Sequence, residues 1–203
     1  MVRKLPIVGV FGAGTPLTAD RKRLAQAVGT MVARLGAHLL TGGGYGVMEA
    51  AAEGFVVEPR RAGWSIGIVP RHPDGPFDQP HRDADGQTYP NRFVEIPIFT
   101  PLPPRVADWT TEPARNHVNV LSADAIVALP GGPGTHNELD MAAEYRGERT
   151  KPKAERRTVL VGPPDDFLPE HHELFVHAAT PAEAEKHLRR LLAMRGLAPE
   201  TVS

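Results

Sequence analysis

The sequence predicts an α/β fold, a single domain built on a parallel sheet with helices on both faces. Three observations predict it. Short apolar, β-branched runs alternate with longer segments of helical periodicity along most of the 203 residues, the pattern of strand–helix–strand units. Those runs read as continuous apolar stretches, as strands do when both faces of a sheet are covered. Three of them run straight into glycine loops, at 12–14, 42–46 and 131–134. In parallel sheets such loops gather at the edge where ligands bind. At this length one domain is expected, with 1–203 forming a single nucleotide-binding unit, and its core needs no disulfide or metal staple.

Ile7 to Phe11 is the first buried strand, and Gly12-Ala13-Gly14-Thr15-Pro16 stops it. Thr18 can cap a helix whose apolar positions Leu24, Val28, Met31, Val32 and Leu35 recur at three- and four-residue spacing, which puts them on one face. Gly36 ends that helix in the usual C-terminal manner. His38-Leu39-Leu40 is a short second strand, and 47–57 has helical composition, with Met48 and Val47 read as core packing. Ser65 to Val69 is a third strand that Pro70 ends. Residues 71–91, rich in Pro, Asp, Gly and His, are too polar for a core. They read as a long loop insertion, equally a lid or a surface excursion. Strand character resumes from Arg92 to Phe99, with Val94, Ile96 and Ile98 alternating. Beyond a proline-rich corner, 112–122 reads as a helix, 123–129 as a buried strand, 135–147 as a helix and 156–161 as a strand. The 164–203 tail reads as a helical segment, with an amphipathic helix at 181–195.

Composition excludes several roles. Lys and Arg number 23 against 24 Asp and Glu, a formal net charge of −1, so there is no basic stripe for a nucleic-acid backbone. Without cysteine there is no disulfide framework, thiol catalysis or Cys-ligated zinc, and a reducing, cytoplasmic compartment fits. No apolar run approaches the length of a membrane span, and the first residues lack the form of a signal peptide. The nine histidines match no ligand spacing. His171 and His172 are adjacent and cannot both face one ion, and His72 and His81 stand among Asp74, Asp78, Asp83 and Asp85 without a calcium-loop or zinc pattern. No metal site is expected.

The glycine loops narrow the ligand. A strand–glycine–helix junction offers backbone N–H groups and a helix N-terminus to an anion. Gly12-Ala13-Gly14 begins a dinucleotide fingerprint, but position 17 is Leu and the second strand ends at Thr41 with no acid for a ribose diol, which disfavours NAD and FAD. No glycine loop is followed by Lys-Ser or Lys-Thr, so ATP hydrolysis of the P-loop kind drops out. The five lysines lie outside every glycine loop, which leaves a pyridoxal Schiff base poorly placed.

The richest stretch joins Arg115-Asn116 to Pro130-Gly131-Gly132-Pro133-Gly134-Thr135-His136-Asn137-Glu138. Pro-Gly-Gly-x-Gly-Thr-x-x-Glu, with an Arg fifteen residues before its Pro, resembles the motif of the Lonely Guy (LOG) family. These are Rossmann-like nucleoside 5′-monophosphate phosphoribohydrolases, long mislabelled lysine decarboxylases. Gly42-Gly43-Gly44-x-Gly46-Val47-Met48 resembles that family's second glycine loop. Arg115-Asn116 in place of Arg-Lys, and the run Gly46-Val47-Met48-Glu49-Ala50-Ala51, are more similar to the sister group of molybdenum-cofactor carriers. The resemblance spans about residues 5–147.

It implies hydrolysis of an N-glycosidic bond, releasing base and ribose 5-phosphate, or, in the carrier reading, binding of a nucleotide or molybdenum cofactor without turnover. The implied ligand is a small phosphorylated nucleotide, with no required cofactor, and the implied assembly is a homodimer. The phosphate would rest on Gly132, Gly134 and Thr135, with Gly131 and the loop of Gly42, Gly43, Gly44 and Gly46 facing it. Glu138, three residues into the 135–147 helix, would stabilise positive charge growing on the sugar. Arg115 would favour the ionised carboxylate or contact phosphate. Asn116 is either a donor there or a helix cap, and Thr135 can cap and bind at once. The lesser alternatives are that Glu138 is only a first-turn acid favoured by the helix dipole and Arg115 only a surface ion-pair residue. His136 reads as an exposed helix-start residue. The basic run 146–157 reads as a solvated face.

Overall fold

A computed structural model describes residues 4–72, 75–82 and 86–197. Seven parallel strands form the sheet. Five belong to the first part of the count: β1 (Ile7–Phe11), β2 (His38–Thr41), β3 (Ser65–Val69), β6 (Ile96–Phe99) and β7 (Ala125–Ala128), followed by β8 (Thr158–Val161) and β9 (Val176–Ala178). A separate antiparallel hairpin pairs β4 (His81–Arg82) with β5 (Thr88–Tyr89). The sheet order is β6-β3-β2-β1-β7-β8-β9. The chain therefore winds outward from β1 in one direction, returns, and winds outward in the other. In register, Val8 sits between Leu39 of β2 and Ala125 of β7. The reversal lies between β1 and β7, where open α/β sheets leave a crevice beyond the strand ends.

Two apolar layers cover the sheet. Val8, Val10, Val127, Leu129, Val159 and Val161 point to one face, under α1 (Ala19–Arg34), α2 (Val47–Val56) and α6 (Pro181–Met194). Phe11, Leu40, Ile66, Ile126 and Leu160 point to the other, under α3 (Arg115–Ser122) and α4 (Pro133–Tyr145), with Phe175 after α5 (Pro169–Leu174). Thr18 caps α1 by accepting from the Arg21 N–H, and Gly36, at φ 69°, turns the chain out of it.

The structure departs from the sequence reading in six places. Helix α3 begins at Arg115, not 112, because Asp108 holds residues 110–112 in a turn through Thr110 and Thr111 and Pro113 follows. Helix α4 begins at Pro133, two residues early, since proline suits the first helical position, where no N–H is required. Strand β6 begins at Ile96 rather than Arg92, and as the sheet edge it leaves Ile96 and Ile98 exposed. The C-terminal segment contributes a strand, β9, as well as helices. The 71–91 interruption contains the β4–β5 hairpin and ends in the buried Asn91; its Asp74, Asp83 and Asp85 lie outside the described residues. The basic run is no solvated face at its start. Arg146 is buried and donates to the Val120 and Ala123 carbonyls at the end of α3. Glu148 is buried and accepts from the Arg157 N–H at 3.0 Å.

Candidate functional site

A cavity of about 390 Å³ opens beyond the ends of β1 and β7, at the reversal of strand order. Val10 to Thr15, Gly42, Met48, Tyr89, Pro104 and Arg105 line it, together with Arg115, Asn116, Gly132 to Thr135 and Glu138. The loop after β1 is fastened to both other glycine loops. Ala13 N–H donates to the Pro130 carbonyl at 3.3 Å, and the Ala13 carbonyl accepts from Val47 N–H at 2.8 Å.

Glu138 is the sixth residue of α4 rather than the third. It is 7% exposed, and its Oε1 accepts from Asn119 Nδ2 at 2.9 Å. Asn119 stands one helical turn after Arg115 on α3, so both project from one side of that helix. Arg115 is 6% exposed, and its Nε has no hydrogen-bond partner among the described residues. Burial pushes the Glu138 carboxyl up to about 7, against the pull of Arg115 and Asn119. Burial likewise lowers Arg115 from the guanidinium range, with Glu138 and Tyr89 opposing it. Desolvation therefore outweighs attraction on both sides of the pair. Burying the pair thus adds little stability of its own.

The predicted glycines divide into two sets. A Cβ at Gly132 or Gly134 would meet nothing within 4 Å. These two positions present bare backbone to the cavity, and Gly132 caps α4 without any side-chain bond. Thr135 also lines the cavity, while its N–H is committed to the Gly132 carbonyl at 2.9 Å. Gly131 lies behind the lining, packed against the Thr135 side chain. Of the second loop only Gly42 lines the cavity. Gly43 N–H donates to Thr41 Oγ1 at 3.2 Å, and the Gly43 and Gly44 carbonyls accept from Asn91 N–H and Nδ2, both at 2.7 Å. Gly46, at φ 62°, packs on the Ala13 carbonyl. The α2 N-terminus is thus used inside the protein. Asn116 reaches toward the Gly134 carbonyl at 3.4 Å and Asn137 Oδ1 at 3.3 Å, tying α3 to the start of α4.

Met48 is cavity lining rather than core, while Val47 is buried as expected. The 12–14 loop lines the cavity as its place on the ligand edge implies, although the sequence singles out no site residue there; Tyr89, Arg105 and Asn119 carry no sequence motif and are absent from the residues the sequence singled out. Asn119 alone left a signal, its four-residue spacing from Arg115. His136 packs edge-on against the buried His171 at 5.6 Å, and His172 turns away to the Pro164 carbonyl. No group of three His, Asp or Glu among the described residues could hold a metal ion. No helix among them is long and apolar enough to cross a membrane.

Residues 5–149 match the model of the SLOG cluster4 family. The chain belongs to that family. Its LOG/SLOG Rossmann-like character is shared by relatives of two kinds. An uncharacterized protein of Archaeoglobus fulgidus is 33% identical over 68% of this chain and 74% of its own length. A cytokinin riboside 5′-monophosphate phosphoribohydrolase of Mycobacterium tuberculosis is 29% identical over 71% of this chain and 67% of its own. Among solved structures, the molybdenum cofactor carrier protein of Chlamydomonas reinhardtii superposes with a TM-score of 0.65 at 29% identity. That match covers 94% of this chain and 99% of the carrier. This SLOG member is therefore similar both to a protein named as a molybdenum cofactor carrier and to one named as a cytokinin riboside 5′-monophosphate phosphoribohydrolase.

Proposed function

We propose that the protein hydrolyses the N-glycosidic bond of a nucleoside 5′-monophosphate. One observation carries this reading: a carboxylate, a guanidinium and an amide (Glu138, Arg115 and Asn119) are buried together beside the bare backbone of Gly132 and Gly134. Burying such groups costs stability, and a phosphate cradle could use the guanidinium but has no use for the carboxylate Glu138, which would repel the anion.

In the proposed reaction the 5′-phosphate rests on the Gly132–Thr135 turn, where the α4 dipole and backbone N–H groups favour an anion. The ribose then lies toward Glu138. As the bond from C1′ to the base nitrogen breaks, positive charge grows on C1′ and the ring oxygen, and the Glu138 carboxylate stabilises it. Water adds to C1′ and gives a proton to Glu138, the departing base takes up a proton from solvent, and Glu138 returns its own to solvent to close the cycle. With its carboxyl near 7, Glu138 can release and accept a proton at neutral pH. Arg115 keeps the ionised form accessible and offers a bidentate contact to phosphate or ribose. Water is the sole co-substrate, and no metal or cofactor enters. A homodimer belongs to the same reading and is tested by sedimentation.

The test is incubation with AMP and other nucleoside monophosphates, assayed for free base and ribose 5-phosphate. Release that Glu138→Ala abolishes supports the reading; wild-type rates in Glu138→Ala or Arg115→Ala refute the site. A specific observation favours a second reading: Asn116 stands where the phosphoribohydrolase pattern has Lys, and it holds backbone instead of facing a ligand alone. On that reading the protein binds a nucleotide or a molybdenum cofactor without turnover. Tight binding with no release from any monophosphate would establish it.

A further inference from the structure

The second glycine loop serves side chains rather than a ligand. A Cβ at Gly42 would come 2.5 Å from Arg115 Cζ and 2.9 Å from Met48 Sδ. One at Gly44 would come 2.8 Å from Tyr89 Cζ and 2.9 Å from Met48 Cε. Real Cβ atoms stay beyond 3.0 Å. The loop lacks two Cβ atoms so that Arg115, Met48 and Tyr89, from three separate segments, can converge on it. The proposed hydrolysis uses only Arg115. It gives no task to the thioether and the phenol ring, yet both line the cavity.

Tyr89 is delivered deliberately. Strand β5 of the hairpin is latched to the loop on both sides of Tyr89. Tyr45 Oη donates to the Thr88 carbonyl at 2.9 Å and accepts from Thr88 N–H at 2.6 Å, and buried Asn91 grips Gly43 and Gly44. His81 backs the Tyr89 ring, nearly parallel at 5.5 Å, and Tyr45 meets it edge-on at 6.2 Å. The ring is thus fixed before any ligand arrives, which lowers the ordering cost of binding. A polarisable thioether beside a fixed aromatic ring makes a wall suited to a flat, π-faced group. The same cavity carries bare helix-end backbone for a phosphate. We infer that Met48 and Tyr89 form the subsite for a planar heteroaromatic ring, the base of a nucleotide ligand, and that the hairpin sets which ring is accepted. This deepens the proposed function and rests on its placement of the phosphate.

The experiment is calorimetric titration of AMP and of ribose 5-phosphate, carried out in a Glu138→Gln background so that AMP is not consumed. Tyr89→Ala should weaken AMP binding about tenfold and leave ribose 5-phosphate within about twofold. Tyr89→Phe, which keeps the ring, should hold AMP within about threefold and shows that the hairpin still folds. Met48→Ala should act in the same direction as Tyr89→Ala, more weakly. Equal losses for both ligands, no loss for AMP, or no binding of either ligand would overturn the inference. Selective loss of AMP in a protein that hydrolyses nothing would keep the ring subsite and refute the catalytic reading. Hydrolysis with unchanged AMP affinity in Tyr89→Ala would do the reverse.

Discussion

Adding one methyl group at Gly42 should disable the site without removing any functional atom. In Gly42→Ala the new Cβ would lie 2.5 Å from Arg115 Cζ, against 3.4 Å for an ordinary contact. The guanidinium must retreat by about 0.9 Å at Cζ, and by more at its Nη1. Gly42 is not among the glycines with positive φ, so alanine brings no backbone strain to confuse the result. Arg115 lines the cavity, so a displaced guanidinium swings from its buried seat into the space a ligand would occupy. Misplacing a positioned group by about 1 Å costs on the order of 100-fold in rate, roughly 2.7 kcal/mol of barrier. The assay is release of ribose 5-phosphate from AMP, in a double-mutant cycle with Arg115→Ala. Once the guanidinium is gone, the methyl group has little left to displace, so Gly42→Ala should cost almost nothing more. Full additivity of the two losses, or wild-type turnover in Gly42→Ala, would refute the assignment of Gly42 as the seat of Arg115.

Four further outcomes follow from the same geometry. Turnover should rise with pH through about 7 as Glu138 ionises. Because its folded value lies above the ordinary 4.5, the folded state holds an extra proton between the two. Relative to Glu138→Gln, wild type should therefore lose up to about 3 kcal/mol of stability as pH rises across that window, as read by urea unfolding. Asn119→Leu removes the donor to Glu138 Oε1 and should lower the rate at pH 7 about tenfold. Its acid limb should move to higher pH, whereas mere loosening of the fold would lower the rate equally at every pH. Gly29→Ala would set a Cβ 2.8 Å from the Ala51 carbonyl carbon, where α1 crosses α2. It should cost about 1–3 kcal/mol in thermal unfolding and leave KM unchanged. Gly134→Ala meets open space, so the free protein should be as stable as wild type or up to about 1 kcal/mol more so, while phosphate binding by calorimetry weakens.

Much of this architecture is legible in the sequence because it depends on local signals. Buried strands such as Ser65–Val69 announce themselves as apolar runs ended by proline, and the first helix by its cap and stripe. Arg115 and Glu138 stand out through the motif that resembles that of the LOG family. The elements that escape are those whose formation is decided by partners. Strand β9 has three residues and β4 and β5 two each, too few to show a period. The exposure of Ile96 and Ile98 leaves no trace in the sequence because alternation cannot tell an edge strand from a central one. Arg146 and Glu148 read as solvated charges, since nothing local reveals that α3 ends over one and that the Arg157 N–H meets the other.

The glycines make the same point at the site itself. In sequence, Gly42-Gly43-Gly44 and Gly131-Gly132-x-Gly134 are one kind of signal, a loop after a strand that could hold phosphate. In space they differ in sign. Gly132 and Gly134 are bare toward the cavity, so their missing Cβ atoms are room for something that arrives. Gly42 and Gly44 are already filled by Arg115, Met48 and Tyr89, so their missing Cβ atoms are room for the protein's own side chains. A methyl group should therefore act on the bound state in the first set and on the free state in the second. The residues that fill the second loop come from 48, 89 and 115, and only the fold brings those positions together. Ligand choice in this cavity accordingly rests less on the glycine motif than on the side chains the motif leaves room for.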